Sequence, residues 1–198
     1  PPTAGGNQIT AVTEYLARYS KNGQIVSLMG RYYAMDRDMR LDRTKLAFDC
    51  LTAANPICAE TGQKAIQESY DRGETDEFVK PVALGPNCNA TRIRANDAVI
   101  FYNFRIDRPR QLTKTILDAN IANLALVTMT NYHKNFQIPI AFPDLVISNT
   151  LGEVISKAGL KQIRAAESEK ERFVTYYFNG QHEDAFPGED RLIVPSPK

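Results

Sequence analysis

The chain has 198 residues, 43% of them hydrophobic, and 24 Lys and Arg against 23 Asp and Glu give a formal net charge of +1. This length and composition fit one globular domain, or one large domain with appendages. Proteins that bind nucleic acid or membrane surfaces usually carry a basic excess, so neither partner is expected here. No apolar run approaches the about 18 residues that a membrane span needs.

The three cysteines, Cys50, Cys58 and Cys88, fit no metal-ligand spacing. We interpret them as reduced structural thiols of a cytoplasmic protein, with a disulfide as the alternative. The chain begins "PPTAGG" without Met and stops at "VPSPK", which predicts a piece of a longer polypeptide.

Helical and strand periodicities alternate along the chain. Helices are predicted over residues 8–21, 42–54, 61–72, 107 to about 117 and 150–159, and strands over residues 24–29, 99–104, 124–130, 161–165 and 173–178. Residues 82–84 and 91–93 predict a hairpin around a turn at 85–87, and Asn179-Gly180 predicts a further turn. We therefore expect a three-layer α/β/α domain with a mixed β-sheet.

Two of the predicted helices carry start signals. Asp107 can cap the helix that runs to about residue 117, and Pro109 is tolerated in its first turn. Thr150 and Glu153 form a capping box for the helix that Gly159 ends.

Two arginine-rich corners follow predicted strands. "MGRYYAMDRD" supplies Arg31 and Arg37, and "NFRIDRPR" supplies Arg105 and Arg108. Ligands of α/β sheets bind at the carboxyl ends of strands, and the planar fork of Arg suits carboxylate or phosphate. The second corner also precedes a helix N-terminus, which attracts anions. Together the corners predict a pocket for a small, highly anionic molecule.

Two other interpretations of the arginines stay open. Acidic residues interrupt both corners, as expected of a solvated ion-pair network with about 0–1 kcal/mol per exposed pair. These residues are Asp36, Asp38, Asp42 and Asp107. Nucleic acid is the third interpretation, which the near-zero net charge disfavours.

The rest of the chain offers little chemistry. Lys170 lies in a polar link between two predicted strands, where it could reach a pocket or simply be solvated. His133 and His182 stand alone, without a metal-ligand partner at the usual spacing. Neither a nucleophile elbow nor a phosphate-cradling glycine loop is visible. The residues by themselves predict an α/β anion-binding domain without catalytic machinery of its own.

The same stretches resemble the cofactor-independent phosphoglycerate mutases. The matching motifs occur in the family's order across nearly the whole chain: "GRYYAMDRD", "ETDEFVKP", "DAVIFYNFRIDRPRQ", "NTLGEVISKAGLKQIRAAESEK", "VTYYFNG" and "FPGEDRLIVPSPK". The resemblance implies that residues 1–185 are the inserted phosphotransferase (substrate-binding) domain and residues 186–198 the returning hinge. The family's other domain, absent here, resembles alkaline phosphatase and carries a nucleophilic serine and two manganese ions.

The resemblance also implies which residues bind substrate. They are Arg31, Arg37, Arg105, Arg108 and Lys170. Asp107 would orient or cap, and neither a catalytic residue nor a metal ligand is expected in this chain. After Lys170 the family usually has Tyr, a variable residue and His, whereas Glu171, Arg172 and Phe173 stand here.

The implied function is an isomerase that interconverts 3-phosphoglycerate and 2-phosphoglycerate through a phosphoserine on the absent domain, in glycolysis and gluconeogenesis. The implied enzyme is monomeric and cytoplasmic, and it uses no 2,3-bisphosphoglycerate. This chain alone is expected to be inactive. The alternative is a stand-alone small-anion-binding or regulatory module.

Overall fold

The computed structural model describes residues 1–52, 57–86, 92–143, 145 and 147–197. The chain forms two compact units, Pro1–Pro143 and Asp144–Lys198.

The first unit alternates helices with short strands. Its helices are α1 (Gly5–Tyr19), α2 (Arg31–Ala34), α3 (Leu41–Thr52), α4 (Gly62–Asp71) and α5 (Arg110–Asp118), with a 3-10 turn at Asp76–Phe78. Its strands are β1 (Ser27–Leu28), β2 (Ile57–Ala59), β3 (Val82–Leu84), β4 (Ala98–Phe101) and β5 (Ala125–Thr128). The second unit contains α6 (Leu151–Lys157), β6 (Gln162–Glu167), α7 (Glu171–Val174) and β7 (Glu189–Val194).

The described strands pair in small sheets rather than in one continuous sheet. Strand β3 lies between β1, which is antiparallel to it, and β2, which is parallel to it. Strands β4 and β5 pair in parallel, as do β6 and β7. The α/β class and the mixture of pairing directions are confirmed.

Helix α5 forms the centre of the main core of the first unit. Leu112 and Ile116 lie one turn apart on its buried face, and they pack with Ala47 of α3 and Leu126 of β5. This packing fixes the start of α5, and the residues just before α5 are those of the second arginine corner.

Two local predictions are wrong. The expected hairpin is absent, because β1 and β2 already occupy both edges of β3; part of its second arm lies outside the described residues. The aromatic run 173–178 does not form a strand. It belongs to the end of α7 and to the turns that follow, which are closed by local hydrogen bonds such as the one from the Asn179 N–H to the Thr175 carbonyl. Strand β4, by contrast, lies within the predicted strand region, and one of its faces is exposed, with Ile100 67% exposed.

The reduced state expected for all cysteines is wrong at Cys58, which is disulfide-bonded. Disulfide pairing depends on the approach of two backbones in space, which spacing along the chain does not reveal. Cys50 is a free, buried thiol, and burial raises its pKa. Cys88 lies outside the described residues.

Candidate functional site

The first arginine corner is built on a tight chain turn at Gly30. The Gly30 N–H donates to the Val79 carbonyl at 2.8 Å. A β-carbon at Gly30 would lie 2.2 Å from the Glu77 carbonyl oxygen, so the close approach of the two backbones requires glycine here. Arg31 follows as the first residue of α2, and its Nη2 lies 2.8 Å from the Glu77 carboxylate.

The second corner begins where β4 ends. Tyr132 is buried, and its hydroxyl donates to the carbonyls of Phe101 and Asn103. Burial raises the pKa of this hydroxyl to about 12, so it stays a donor at any physiological pH. The Asn103 side chain in turn accepts the Arg105 N–H at 2.9 Å. These bonds fix the path of the chain into the second corner.

The two corners interlock through both of their inner arginines. Arg37 Nη1 donates to Asp107 Oδ2 at 2.9 Å, across 70 positions of sequence. Arg108 Nη1 donates in the opposite direction, to the Met35 carbonyl at 3.1 Å. The structure therefore brings the pairs predicted from separate strand ends to one place.

Asp107 orients arginines and does not cap a helix. Its carboxylate accepts hydrogen bonds from Arg105 Nε and Nη2 as well as from Arg37. Burial acts to raise the pKa of Asp107, but the arginine hydrogen bonds outweigh it and lower the pKa to about 2. The N-cap of α5 is Pro109, so the expected capping role of Asp107 is wrong: the tertiary arginine partner is stronger than a backbone N–H.

Arg108 is partly buried among the other arginines of this group. Burial lowers its pKa, and the positive charges of Arg37, Arg105 and Arg31 lower it further. Its Nε is buried and has no hydrogen-bond partner among the described residues. Neighbouring positive charges repel this guanidinium, and one of its donors is unused. An anion bound beside it would therefore stabilise it.

The carboxylates between the arginines divide into two groups. Asp36 and Asp38 both pair with Arg40, and Asp36 also lies 3.7 Å from Arg43. Glu77 pairs with Arg31, and Asp107 pairs with Arg37 and Arg105. Asp36 and Asp38 thus bond Arg40, whereas Glu77 and Asp107 bond corner arginines.

Two further cations belong to other elements. Arg110, the first residue of α5, donates through Nε to the carbonyl of Tyr132 at 2.7 Å, and Tyr132 also holds the second corner. Lys170 lies in the second unit, exposed, just before α7. Its Nζ lies 5.8 Å from the ring centroid of Phe173, one of the positions that departs from the family pattern. Its role in binding stays a prediction.

Sequence reasoning missed the residues that hold the corners in place. Tyr132 and the Met35 carbonyl contribute through contacts with chain 29 or more positions away, and no local motif marks them. Glu77 belongs to the quoted motif "ETDEFVKP", so its pairing with Arg31 could have been suspected from that motif.

Within the described ranges, no cluster of three or more His, Cys, Asp or Glu side chains could hold a metal ion. The same ranges contain no helix that is both long and apolar enough to cross a bilayer.

Comparison with known proteins adds the family. The model of the BPG-independent PGAM N-terminus matches residues 1–134. A 2,3-bisphosphoglycerate-independent phosphoglycerate mutase of Synechococcus elongatus is 45% identical over 99% of this chain and 37% of its own length. The enzyme of that name from Moorella thermoacetica is 43% identical over 100% of this chain and 40% of its own length.

A solved structure shows the same fold. The phosphoglycerate mutase of Leishmania mexicana, crystallised at low cobalt concentration, superposes with a TM-score of 0.81 at 22% identity. The match covers 98% of this chain and 39% of that one, so the chain spans about two fifths of the length of these relatives. The family match and the identities place the chain in the family of 2,3-bisphosphoglycerate-independent phosphoglycerate mutases.

Proposed function

We propose that this chain is the substrate-binding part of a phosphoglycerate mutase, an isomerase that interconverts 3-phosphoglycerate and 2-phosphoglycerate. The observation that carries the proposal is a cluster of four arginines: three bond Glu77 or Asp107, and Arg108 has a buried, unused donor. A small molecule bearing a carboxylate and a phosphate fits such a cluster of guanidinium groups. Since the matched relatives are mutases, the stand-alone anion-binding module is not favoured.

The arginines differ in how readily they can turn to a ligand. The Arg31–Glu77 pair is exposed, with 55% and 40% of the side chains accessible, so it contributes at most about 1 kcal/mol and exchanges easily for an anion. Arg37 and Asp107 are only 16% and 12% accessible and form the fixed part of the site. We infer that Arg31 and Arg105 close on the ligand, whereas Arg37 and Arg108 provide a preformed surface.

This division suits the reaction that the family resemblance implies. Phosphate transfer to a serine leaves glycerate, which must turn without escaping before the phosphate returns to its other hydroxyl. Fork-shaped donors can keep the carboxylate bound while hydroxyl contacts exchange, and their charge offsets that of the moving phosphoryl group. The serine is proposed to lie in the remaining part of the longer family protein.

The two manganese ions that the resemblance implies do not fit the described residues, which offer no three-ligand cluster. Their ligands are therefore proposed in the remaining part as well. The boundaries 1–185 for the inserted domain and 186–198 for the hinge also stay proposals, as do a monomeric state and a role in glycolysis and gluconeogenesis. A cytoplasmic location is proposed by family, and the disulfide at Cys58 is unusual for that compartment.

Calorimetric titration of the chain with 3-phosphoglycerate tests the proposal. We expect weak, saturable binding that is lost in Arg105→Ala and in Arg108→Ala. Arg18→Ala, on the surface of α1, is the matched control and should bind as the parent does. Equal binding by all variants would mean that the corner arginines form an ion-pair network and not an anion site. The chain alone, given manganese, should not interconvert the two phosphoglycerates. Measurable turnover would refute the proposal that the serine and the metal ligands lie in the remaining part of the longer protein.

A further inference from the structure

A buried polar cluster lies directly beneath the arginine corners. Gln111 is 9% exposed, Asp36 is 6% exposed and Thr44 is 2% exposed. Gln111 Nε2 donates to Asp36 Oδ2 at 3.0 Å and to Thr44 Oγ1 at 2.6 Å. Its Oε1 accepts the Met39 N–H at 3.1 Å. One side chain of α5 thus bonds Thr44 of α3 and two residues, Asp36 and Met39, of the segment that follows α2.

The segment 36–40 is wrapped around the Asp36 carboxylate. Oδ2 accepts the backbone N–H groups of Asp38 at 3.1 Å and Arg40 at 3.0 Å. Met39 adopts a φ of 60°, a left-handed conformation that a bulky residue takes only when its surroundings hold it there. Three hydrogen bonds hold Met39 in this conformation. Its own N–H donates to Gln111, and the N–H groups of the residues on either side of it donate to Asp36.

This cluster is connected to both inner arginines. Asp36 directly precedes Arg37, and Gln111 follows Arg108 by three positions at the start of α5. Arg37 and Arg108 in turn make the two bonds that interlock the corners. Displacement of residues 36–40 from α5 would therefore separate the two guanidinium groups.

We propose that Gln111 and Asp36 form a positioning pair that sets the distance between Arg37 and Arg108 for a ligand with two anionic groups. This inference rests on the proposed function, but it concerns residues that touch no ligand. It also assigns a role to Asp36 that differs from neutralising the site: its carboxylate faces the backbone, Gln111 and the guanidinium groups of Arg40 and Arg43.

A double-mutant cycle on the 198-residue chain tests the pair. Gln111→Met keeps the side-chain length and removes both polar functions. We expect it to weaken 3-phosphoglycerate binding about tenfold, the order of a lost hydrogen bond to a charged group. In an Arg37→Ala background the same change should weaken binding threefold or less, because the arginine that it positions is already gone. Gln67→Met, exposed on α4 and bonded to Asp71, is the control and should change nothing.

Amide hydrogen exchange provides a readout that needs no ligand. In Gln111→Met the Met39 amide should exchange at least about tenfold faster, while the buried Ile116 amide in α5 stays protected.

If Gln111→Met fails to fold, Asp36→Asn, which has the same shape, carries the same expectations. An unchanged Met39 amide, or equal losses of affinity in both backgrounds, would overturn the pair. Failure of the parent chain to bind 3-phosphoglycerate would instead refute the proposed function, and the Met39 exchange would still decide whether the pair holds the segment.

Discussion

Replacement of Asp107 by Asn tests how the arginine corners are held together. The lowering of the Asp107 pKa from 3.8 to about 2 corresponds to about 2 kcal/mol, at about 1.36 kcal/mol per pKa unit. Since the pKa is lower in the folded state, this stability is present above pH 3.8 and is lost as the pH falls through about 2. About half of it should remain at pH 3. Asp107→Asn should therefore cost about 2 kcal/mol at pH 7, about 1 kcal/mol at pH 3 and little at pH 2.

The assay is the free energy of opening of the first unit, read from exchange of the buried Leu112 and Ile116 amides in α5. Asp118→Asn is the control, since Asp118 forms an exposed pair with Lys114 within one helix and should contribute under about 0.5 kcal/mol. A cost of Asp107→Asn that stayed the same from pH 7 to pH 2, or that matched the control, would refute the linkage between Asp107 and the arginines.

Two further substitutions test the framework of the corners. Gly30→Ala should destabilise the first unit by about 1–3 kcal/mol in thermal unfolding and weaken anion binding, because the new methyl group meets the Glu77 carbonyl. Gly6→Ala is the control: a methyl group has room there, so the change should be neutral or stabilising. Tyr132→Phe should cost about 1 kcal/mol in urea unfolding, and it should remove the ionisation near pH 12 from an absorbance titration. An unchanged titration curve would mean that another tyrosine has the raised pKa.

The arginine corners could be predicted because their signals are local. A strand followed by glycine and arginine, or by arginine and a helix start, marks a chain reversal at a sheet edge. The capping box at Thr150 is equally local, and its side chain does accept the Glu153 N–H. The family motifs then indicated which arginines to pair, although the interlock itself depends on contacts about 70 residues apart.

Predictions failed where a tertiary partner overrode a local preference. Asp107 stands where the sequence predicts a helix cap, but its carboxylate accepts hydrogen bonds from Arg37 and Arg105 instead. The aromatic run after α7 has strand composition, yet its rings pack on cations: the guanidinium of Arg172 lies 4.3 Å from the ring centroid of Tyr176. Aromatic residues favour any half-buried apolar surface, so composition alone does not separate a strand from such a turn.

The most direct test of the anion site is an NMR titration of the arginine Nε–H signals with 3-phosphoglycerate. The account predicts saturable shifts at Arg105 and Arg108 with one common affinity, and no shift at Arg18 on the surface of α1. The Arg108 signal should move most, because its Nε is the buried donor without a partner. Shifts of similar size at all arginines, or none at Arg108, would contradict the account.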